Sequence, residues 1–453
     1  MTATSQAVQD IEALARRSRE ASWALQMCTT EQKNDALESI KKILSERKED
    51  IIAANKLDLE NAKAAVEAGN LSSTLFKRLD LNGSDGAKYD TLLTGLDDVV
   101  TLEDPVGKCT LATRLDDGLD LFRVSCPVGV ICIIFEARPE CCIQISSLCL
   151  KSSNAVILKG GKEAYHSNQV LVNAVREGIK RVPGVPEDLV QLVSSREEVS
   201  ALLEMDKYID LVIPRGSNSL VKHVQNNTRI PVLGHADGIC SVYLDESADL
   251  QKAISVVVDG KSSYPAACNA TETLLVHENV ADSLLPKVGE ALAAAGVSML
   301  ACEKSLPLLS HTGKATAATE QAFYTEHLDL VIAVKIVSSF QDAVKHINEH
   351  GSHHTDGIVT ESKERANLFM RLVDSAGVYH NASTRFADGF RYGFGAEIGV
   401  STNRTHARGP VGLEGLMIYK YKMYGQGQAS VEYGKEKNFM HSRIGETEYQ
   451  SYQ

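Results

Sequence analysis

One of the ten cysteines in this 453-residue chain has neighbours suited to nucleophilic chemistry. Cys268 lies in PAACNATETLLVH, after Pro265 and just before a predicted strand, among small polar residues. A nucleophilic thiol needs partial exposure, a lowered pKa and nearby donors for a developing oxyanion. Asn269 and backbone amides could be those donors. Most other thiols lie in apolar stretches such as VICIIF and ECCIQI and are predicted to be reduced and packed as small hydrophobic groups. Composition alone leaves Cys268 one candidate among ten.

Two glycine-containing turns each follow a predicted strand and precede a predicted helix. The first turn contains Lys159, Gly160 and Gly161, and the second contains Arg215, Gly216 and Ser217. Glycine lets a backbone approach a ligand closely, and a helix N-terminus favours phosphate. Either turn alone could be an ordinary strand-to-helix connection, with a solvated lysine or a serine cap. Two such turns at successive strand ends of one sheet favour a dinucleotide phosphate site, although the sequence has no G-x-G-x-x-G fingerprint.

A His-rich stretch, HINEHGSHHTD, contains His346, His350, His353 and His354. Clustered imidazoles are typical of metal sites, but the stretch lacks the H-E-x-x-H frame of a helical zinc site. We therefore predict no metal here and expect a hydrogen-bonded loop next to the active site.

The elements that must position these residues show strand–helix alternation. Four strands, VGVICIIF, NAVILKG, DLVQLV and IDLVIP, are each followed by a helical segment. Continuous apolar strands of this kind indicate a parallel sheet covered on both faces, with ligands at the carboxyl ends of the strands. A second α/β segment begins at about Asp259, with strand candidates TLLVH, LVIAVKIV, GIVT and GVYHN.

An exposed hairpin is predicted before the first sheet. CTLATRLDDGLDLFRVSCP alternates apolar and polar residues around Asp116-Asp117-Gly118. It could be an oligomerisation arm or a surface hairpin on a monomer. The segment LMIYKYKM over 416–423 alternates like a strand and could pair with this hairpin in the same or a neighbouring subunit. The last twenty residues are predicted to be disordered.

Bulk composition limits the class of partner. A formal charge of −12 argues against a nucleic-acid or anionic-membrane surface, but permits a local basic pocket. The longest apolar run, over 126–135, is about half the ~20 residues that span a bilayer. The first twenty residues mix acidic and basic side chains without an apolar core, which predicts an amphipathic helix rather than a secretory or transit signal. We expect a cytoplasmic protein of two or three domains.

Taken together, the motifs resemble the aldehyde dehydrogenase superfamily and, within it, the γ-glutamyl phosphate reductases (glutamate-5-semialdehyde dehydrogenases). The resemblance covers nearly the whole chain. It is carried by PVGVICIIFEARP, LKGGKEA, IPRGSNSLV, CNATETLLVH, AVKHINEHGSHHTDGIVT, VYHNASTRFADG and FGAEIGVSTNRTHARGP. The His-rich stretch matches the reductase signature at essentially every specified position and is more specific than the glycine turns.

The resemblance implies a fold with a doubly wound parallel-sheet cofactor domain, an α/β catalytic domain and a β-strand oligomerisation arm. We expect a cofactor domain over 1–258 with the hairpin arm at about 108–126, a catalytic domain over 259–410, and the last arm strand and tail over 411–453. By the same resemblance Cys268 is the nucleophile and Lys159 faces the adenine ribose. Gly216 and Ser217 lie beneath the pyrophosphate, and Glu326 holds the nicotinamide ribose. Gly160, Gly161, Glu163 and Arg215 complete the predicted cofactor site.

Two departures from the superfamily pattern are informative. Aldehyde-oxidising members carry a glutamate before Leu-Gly-Gly that activates the deacylating water, and Val232 stands in that place here. Its loss suits a reductase whose thioester must meet hydride before water. The superfamily's oxyanion asparagine corresponds to Ala137, which leaves the Cys268 amide and Asn269 as candidate replacements.

The resemblance implies NADPH-dependent reduction of L-γ-glutamyl 5-phosphate to L-glutamate 5-semialdehyde, the second step of proline biosynthesis, with release of phosphate. The anionic substrate needs fixed donors, for which arginine forks are suited. The predicted substrate-binding residues are Arg138, Ser383, Thr384, Arg385 and Arg408. The preference for NADP, a homo-oligomer (dimer or tetramer) and a possible association with glutamate 5-kinase on a separate chain are carried from the family. An ordinary aldehyde dehydrogenase and a non-enzymatic binding protein on this fold remain as alternatives.

Overall fold

A computed structural model describes residues 3–69, 71, 73–235, 237–434 and 437–452. Its α-helices are α1 (Ala3–Leu25), α2 (Thr30–Glu46), α3 (Lys48–Glu67), α4 (Ser73–Leu79), α5 (Ala87–Thr101), α6 (Cys141–Lys151), α7 (Tyr165–Lys180), α8 (Arg196–Leu202), α9 (Asn218–Asn226), α10 (Leu250–Ser262), α11 (Glu278–Ala294), α12 (Leu306–Leu309), α13 (Phe340–His350) and α14 (Lys363–Leu372). Its strands are β1 (Cys109–Asp116), β2 (Leu119–Pro127), β3 (Val130–Phe135), β4 (Ala155–Lys159), β5 (Val190–Val193), β6 (Leu211–Arg215), β7 (Cys240–Leu244), β8 (Thr271–His277), β9 (Ser298–Ala301), β10 (Ala315–Ala317), β11 (Val331–Val337), β12 (Thr355–Val359), β13 (Gly377–His380), β14 (Gly399–Ser401), β15 (Gly409–Val411), β16 (Met417–Tyr424) and β17 (Ser442–Arg443).

The first parallel sheet has the strand order β5-β4-β3-β6. Its strands are rich in β-branched residues, and every residue of β3 is buried, as expected for a strand covered on both faces. Helices α1, α2, α6 and α7 contribute to the same hydrophobic core. The four predicted strand–helix units are thereby confirmed, and the carboxyl ends of β4 and β6 carry the two glycine turns.

The second sheet has seven strands in the order β10-β9-β11-β8-β7-β12-β13, and all of its pairs are parallel. It includes β7 at 240–244, although the predicted boundary assigned all residues up to 258 to the first domain. That boundary is wrong for β7, because parallel pairing with β8 and β12 places the strand in the second sheet before α10 begins. The division into domains is otherwise a prediction.

The predicted hairpin forms β1 and β2, which pair antiparallel around a turn with Gly118 at a φ of +66°. Strand β16 pairs along β2 from Met417 opposite Pro127 to Tyr424 opposite Asp120. The tail strand therefore joins the hairpin of its own chain. The resulting sheet has the order β16-β2-β1-β17.

The expected disorder of the last twenty residues is wrong for those that the structure describes. Tyr449 is buried, and its ring lies 5.2 Å from that of Phe122 in the arm. Tyr452 donates a hydrogen bond of 2.8 Å to Asp120. Aromatic side chains in the tail thus supply the apolar contact that a polar composition did not indicate.

The amino-terminal predictions also have an outcome in the structure. Residues 3–25 form α1, as the amphipathic pattern predicted, and α2 begins with a capping box between Thr29 and Gln32. No helix in the described part of the chain has the length and apolar character needed to cross a membrane.

Candidate active site

Cys268 lies in the connection between α10 and β8, at the amino end of a strand that is buried along its whole length. All ten cysteines are free thiols, and Cys268 is one of four that are not fully buried. The segment before β7 packs directly against it: a Cβ at Gly238 would lie 2.2 Å from the Cys268 carbonyl oxygen. Only glycine allows this close approach to the nucleophile.

Two histidines flank the thiol. One ring nitrogen each of His235 and His354, together with Cys268 Sγ, lie within 4.8 Å of one another. The two rings meet edge to face, with centroids 5.1 Å apart. His235 Nδ1 is 2.7 Å from the Val400 carbonyl and must be the donor, because a carbonyl oxygen only accepts. This bond fixes the tautomer and leaves Nε2 to take the thiol proton.

The thiol and His235 stabilise each other's charged form. Burial raises the pKa of Cys268, but the charges of His354 and His235 outweigh burial and hold that pKa well below 9.0. Burial lowers the pKa of His235, but the thiolate charge, its hydrogen bond and the bond to Val400 raise it to about 9. In contrast, burial raises the pKa of Cys132 to about 12. The site therefore favours a thiolate–imidazolium pair near neutral pH.

Glu326 lies beside this pair. Burial raises its pKa to about 7, and the charge of the Cys268 thiolate acts in the same direction. The charge of His235 and a hydrogen bond from the Gly238 backbone oppose that rise. The structure thus brings the predicted nicotinamide-ribose glutamate to the nucleophile.

A fully buried ion pair holds the loop that carries this glutamate. Lys261 Nζ donates to Glu272 at 2.8 Å, and both side chains have no exposed surface. The other oxygen of Glu272 accepts from the Leu328 amide at 3.4 Å, two residues after Glu326. Burial raises the pKa of Glu272 to about 7, while the charge of Lys261 opposes that rise. The pair therefore links α10, β8 and the Glu326 loop.

Arg385, one of the predicted substrate-binding residues, contacts Asn269, the residue that follows the nucleophile. Its guanidinium donates to Asn269 Oδ1 and, at 3.2 Å, to Ser263 Oγ. Asn269 Nδ2 donates to the Ala387 carbonyl at 2.9 Å. The buried Asn269 side chain thus holds the arginine and its loop next to the thiol.

Ser383 and Thr384 support the same loop. Ser383 Oγ accepts from the Arg385 amide at 3.3 Å. Thr384 is fully buried, and its hydroxyl lies 3.0 Å from that of Thr271 at the start of β8. The contacts of Ser383 and Thr384 hold the loop in place, so direct substrate binding by either residue stays a prediction.

Two further predicted substrate arginines lie in other contacts. Arg408 donates two hydrogen bonds of 3.0 Å to Asp374, one to its side chain and one to its carbonyl. Arg138 lies in the turn between β3 and α6, where its carbonyl accepts from the Cys141 amide. The structure does not show either guanidinium at the thiol, and their roles stay predictions.

The first glycine turn follows Lys159 at the end of β4. A Cβ at Gly160 or Gly161 would come within 2.0 Å of a neighbouring side chain, which is Glu163 in the second case. Glu163 accepts a 2.6 Å hydrogen bond from the amide of Ala137, whose φ is +47°. Glu163, predicted to bind cofactor, thus holds the left-handed turn where the superfamily has its oxyanion asparagine.

The second glycine turn begins with Arg215 and already attracts an anionic group. Glu136 Oε2 accepts from the Ser217 amide at 2.9 Å, at the amino end of α9. A Cβ at Gly216 would lie 2.4 Å from the same oxygen, so only glycine fits there. Because this helix terminus binds a carboxylate, it has the anion-binding amides that a pyrophosphate requires.

The four histidines of the His-rich stretch lie in different surroundings. His346 and His350 lie on α13, with their rings stacked at 3.9 Å. His353 donates to a backbone carbonyl at 2.7 Å. Of these four, His354 is the one that joins the group around Cys268. The stretch is therefore partly a hydrogen-bonded loop beside the site, as predicted.

Sequence reasoning missed two ionisable residues of this region. His235 lies in a loop between the two sheets, where an isolated histidine gives no periodic signal. Glu397 has its pKa raised to about 7 by burial and accepts from the Gly389 amide at 2.9 Å. The stretch VLGHADG could have indicated His235, because it was already matched to the family and contains this histidine three positions after Val232.

Comparisons with known proteins identify the family of the chain. A family model described as the aldehyde dehydrogenase family matches residues 1–303. The probable γ-glutamyl phosphate reductase of Schizosaccharomyces pombe is 52% identical over 96% of this chain and 97% of its own length. The chain belongs to the aldehyde dehydrogenase family. Within that family it belongs with the γ-glutamyl phosphate reductases, as the motifs predicted.

Other reductases extend the match. The γ-glutamyl phosphate reductase of Acetivibrio thermocellus is 49% identical over 96% of this chain and 98% of its own length. The crystal structure of the γ-glutamyl phosphate reductase of Thermotoga maritima has a TM-score of 0.87 and 40% identity, covering 92% of this chain and 99% of that one. The predicted aldehyde dehydrogenase-like α/β fold with parallel sheets is thereby confirmed.

Proposed function

We propose that the chain reduces L-γ-glutamyl 5-phosphate to L-glutamate 5-semialdehyde and releases phosphate, the second step of proline biosynthesis from glutamate. The observation that carries this proposal is the thiolate of Cys268. It stands at the position matched to the family's nucleophile, and His235 and His354 hold its pKa well below 9.0. A thiolate is the reactive form of cysteine toward an acyl carbon.

Each step of the reaction can be assigned to particular residues of the chain. The Cys268 thiolate attacks the acyl carbon, a C–S bond forms, and the C–O bond to phosphate breaks. A nicotinamide cofactor, when bound, would supply the hydride that the thioester carbon takes up. The C–S bond then breaks, the aldehyde leaves, and the electron pair returns to sulfur as thiolate, which His235 stabilises when it is protonated again. Glu326 would hold the ribose of that cofactor.

Arg385 is the residue we propose for the substrate's anionic groups. Asn269 and Ser263 fix two sides of its guanidinium next to the nucleophile. A guanidinium held in this way binds a carboxylate or phosphate as a fork. Arg138, Arg408, Ser383 and Thr384 are proposed to complete the substrate site, as the family match implies.

NADP is the proposed form of the nicotinamide cofactor. Glu163, the acidic residue of the first glycine turn, is bound to a backbone amide. This leaves Lys159 and the exposed Lys162 as the charged side chains of that turn, and two ammonium groups suit the extra phosphate of NADP. A Lys162→Ala variant should raise KM for NADPH more than KM for NADH, and an equal effect on both would contradict this assignment.

An ordinary aldehyde dehydrogenase is the second candidate. It would need a base that activates the deacylating water, but the matched position holds the apolar Val232, whose carbonyl accepts from Asn403 at 2.8 Å. The retained thiolate also argues against a purely structural protein. We further propose a cytoplasmic homo-oligomer, a dimer or tetramer joined through the arm, and contact with glutamate 5-kinase, because an acyl phosphate is short-lived in water.

The reverse reaction tests the function. NADP⁺ reduction should occur with pyrroline-5-carboxylate, the cyclised semialdehyde, only when inorganic phosphate is present. A Cys268→Ala variant should be inactive, with Cys302→Ala, a second partly exposed thiol, as the matched control. Aldehyde oxidation without phosphate would establish the ordinary dehydrogenase, and full activity of Cys268→Ala would refute the thiolate mechanism.

A further inference from the structure

The reaction needs a donor for the oxyanion that forms at the acyl carbon. A preorganised donor of this kind contributes about 10²–10³-fold to the rate of an acyl transfer. The superfamily's asparagine is replaced by Ala137, and the amide of that residue donates to Glu163 at 2.6 Å. Neither the side chain nor the backbone of Ala137 can therefore serve.

Asn269, the first candidate replacement, is already bound on both sides of its amide. Its Nδ2 donates to the Ala387 carbonyl at 2.9 Å, and its Oδ1 accepts from Arg385. Turning the amide toward the substrate would break a buried hydrogen bond and release the arginine. That would leave buried polar groups unpaired, so Asn269 is better explained as a positioning residue.

His354 has the opposite character. Its side chain is fully buried, and its Nε2 has no hydrogen-bond partner. Its Nδ1 lies 2.9 Å from Thr355 Oγ1. Nε2 carries a proton in the charged ring, and also in the neutral ring when the hydroxyl donates to Nδ1. A buried donor without a partner is unfavourable unless a ligand completes it.

The His354 ring lies beside the nucleophile. His354 belongs to the group whose ligating atoms lie within 4.8 Å of Cys268 Sγ. The other imidazole of the group, His235, has its Nδ1–H committed to the Val400 carbonyl and serves as the charged partner of the thiolate. The charge of His354 also holds the pKa of Cys268 below 9.0, and its Nε2, unlike His235 Nδ1, has no fixed acceptor.

We propose that His354 donates Nε2–H to the substrate carbonyl oxygen and, with the Cys268 amide, forms the oxyanion site in place of the missing asparagine. The inference rests on the proposed function. When sulfur adds to the acyl carbon, the carbonyl π pair moves to this oxygen, and collapse expels phosphate. When hydride adds to the thioester, the pair moves there again, and collapse breaks the C–S bond. The Nε2 proton stays on His354 throughout.

The test compares three variants in the phosphate-dependent reverse reaction. His354→Ala should lower kcat about 10²–10³-fold with KM for phosphate little changed. His354→Gln places an amide donor near the original Nε2 and should recover at least tenfold of that loss. His353→Asn is the control, because its ring contacts the carbonyl and the carboxylate of Asp374 and asparagine tolerates the φ of +60° at that position.

Alkylation of Cys268 separates this role from thiol activation. The midpoint of the alkylation rate against pH should rise in His354→Ala and in His354→Gln alike, because both lose the charge of the ring, whereas only glutamine should restore kcat. A kcat of His354→Ala that recovers fully at pH 10, where the thiol is ionised without the ring, would overturn the proposal, and so would a glutamine variant as slow as the alanine variant. Failure of the proposed function itself is seen separately, as phosphate-independent activity of the unaltered enzyme. Unfolding temperatures of all variants establish that each one is folded.

Discussion

Removal of the His235 imidazole should raise the pKa of the Cys268 thiol without disturbing the loop. The substitution His235→Asn is chosen because the asparagine amide can donate to the Val400 carbonyl, as Nδ1 does at 2.7 Å. It has no second nitrogen to pair with the thiolate. The change therefore removes the charge and leaves the backbone contact.

The expected magnitude follows from the pKa of the imidazole. Its rise from 6.5 to about 9 is opposed by burial and is produced by the thiolate, the hydrogen bond between them and the Val400 bond. A difference of this size corresponds to about 3 kcal/mol. Because coupling between two titrating groups is reciprocal, most of it should be lost from the thiolate. The thiol midpoint should rise by about 2 pH units, since His354 and Arg385 remain.

Iodoacetamide alkylation measured from pH 5 to pH 10 tests this expectation. In the unaltered protein the reaction should proceed well below pH 9, and at pH 7 the variant should react roughly 30- to 100-fold more slowly. Cys268→Ser reports the background from the other thiols. A midpoint that moves by less than half a pH unit in His235→Asn would refute the ion pair. At pH 10 the Cys268 thiol should be ionised both in the unaltered protein and in the variant. The reasoning would also fail if the alkylation rates of these two proteins differed as much at pH 10 as at pH 7.

Three other changes have expected outcomes. Lys261→Met leaves Glu272 buried without its ammonium group and should cost about 3–5 kcal/mol of unfolding free energy in urea, whereas a double change of both residues to Met should restore much of it. Glu397 has a pKa raised to about 7, so its favourable contribution is full below its ordinary 4.5 and is lost as the pH rises through 7. Glu397→Gln should therefore stabilise the protein by about 1–2 kcal/mol at pH 8 and not at pH 4, and equal effects at both would contradict that pKa. Tyr421 is 58% exposed on one face of β16, so Tyr421→Glu should lower the mass measured by light scattering if the arm joins subunits, with Lys420→Glu on the opposite face as the control.

The sequence predicts the first sheet and the hairpin well because their patterns are local. Four buried strands alternate with helices, and each pattern fits within about twenty residues of chain. The nucleophile and Glu326 followed from family motifs, and the structure brings both together. Strand β7 was assigned to the wrong side of the boundary, because nothing in CSVYL shows which sheet it joins. Its partner strand β12 lies more than 100 residues further along the sequence.

Histidines at the site show a second limit of local reasoning. His235 and His354 are 119 positions apart in the chain, as their numbers show. The closeness of their rings is a product of the parallel pairing of β7 with β8 and β12. The His-rich stretch was noticed because four imidazoles cluster in sequence. Only the fold distinguishes the one that reaches the thiol from those that hold a helix or a loop.

The absence of a water-activating glutamate and the presence of His235 have a common physical consequence. The pKa of His235 is high largely because a thiolate lies beside it. When the sulfur becomes acylated that charge disappears, and burial then favours the neutral ring. The imidazolium must therefore lose its proton during acylation, and the departing phosphate is a suitable acceptor for it. Hydride addition and the C–S cleavage that follows it regenerate the thiolate, which raises the pKa of His235 again and draws a proton back. One buried pair thus activates the nucleophile and supplies a proton to the leaving group, and Val232 leaves no carboxylate at the matched position to activate water during the interval.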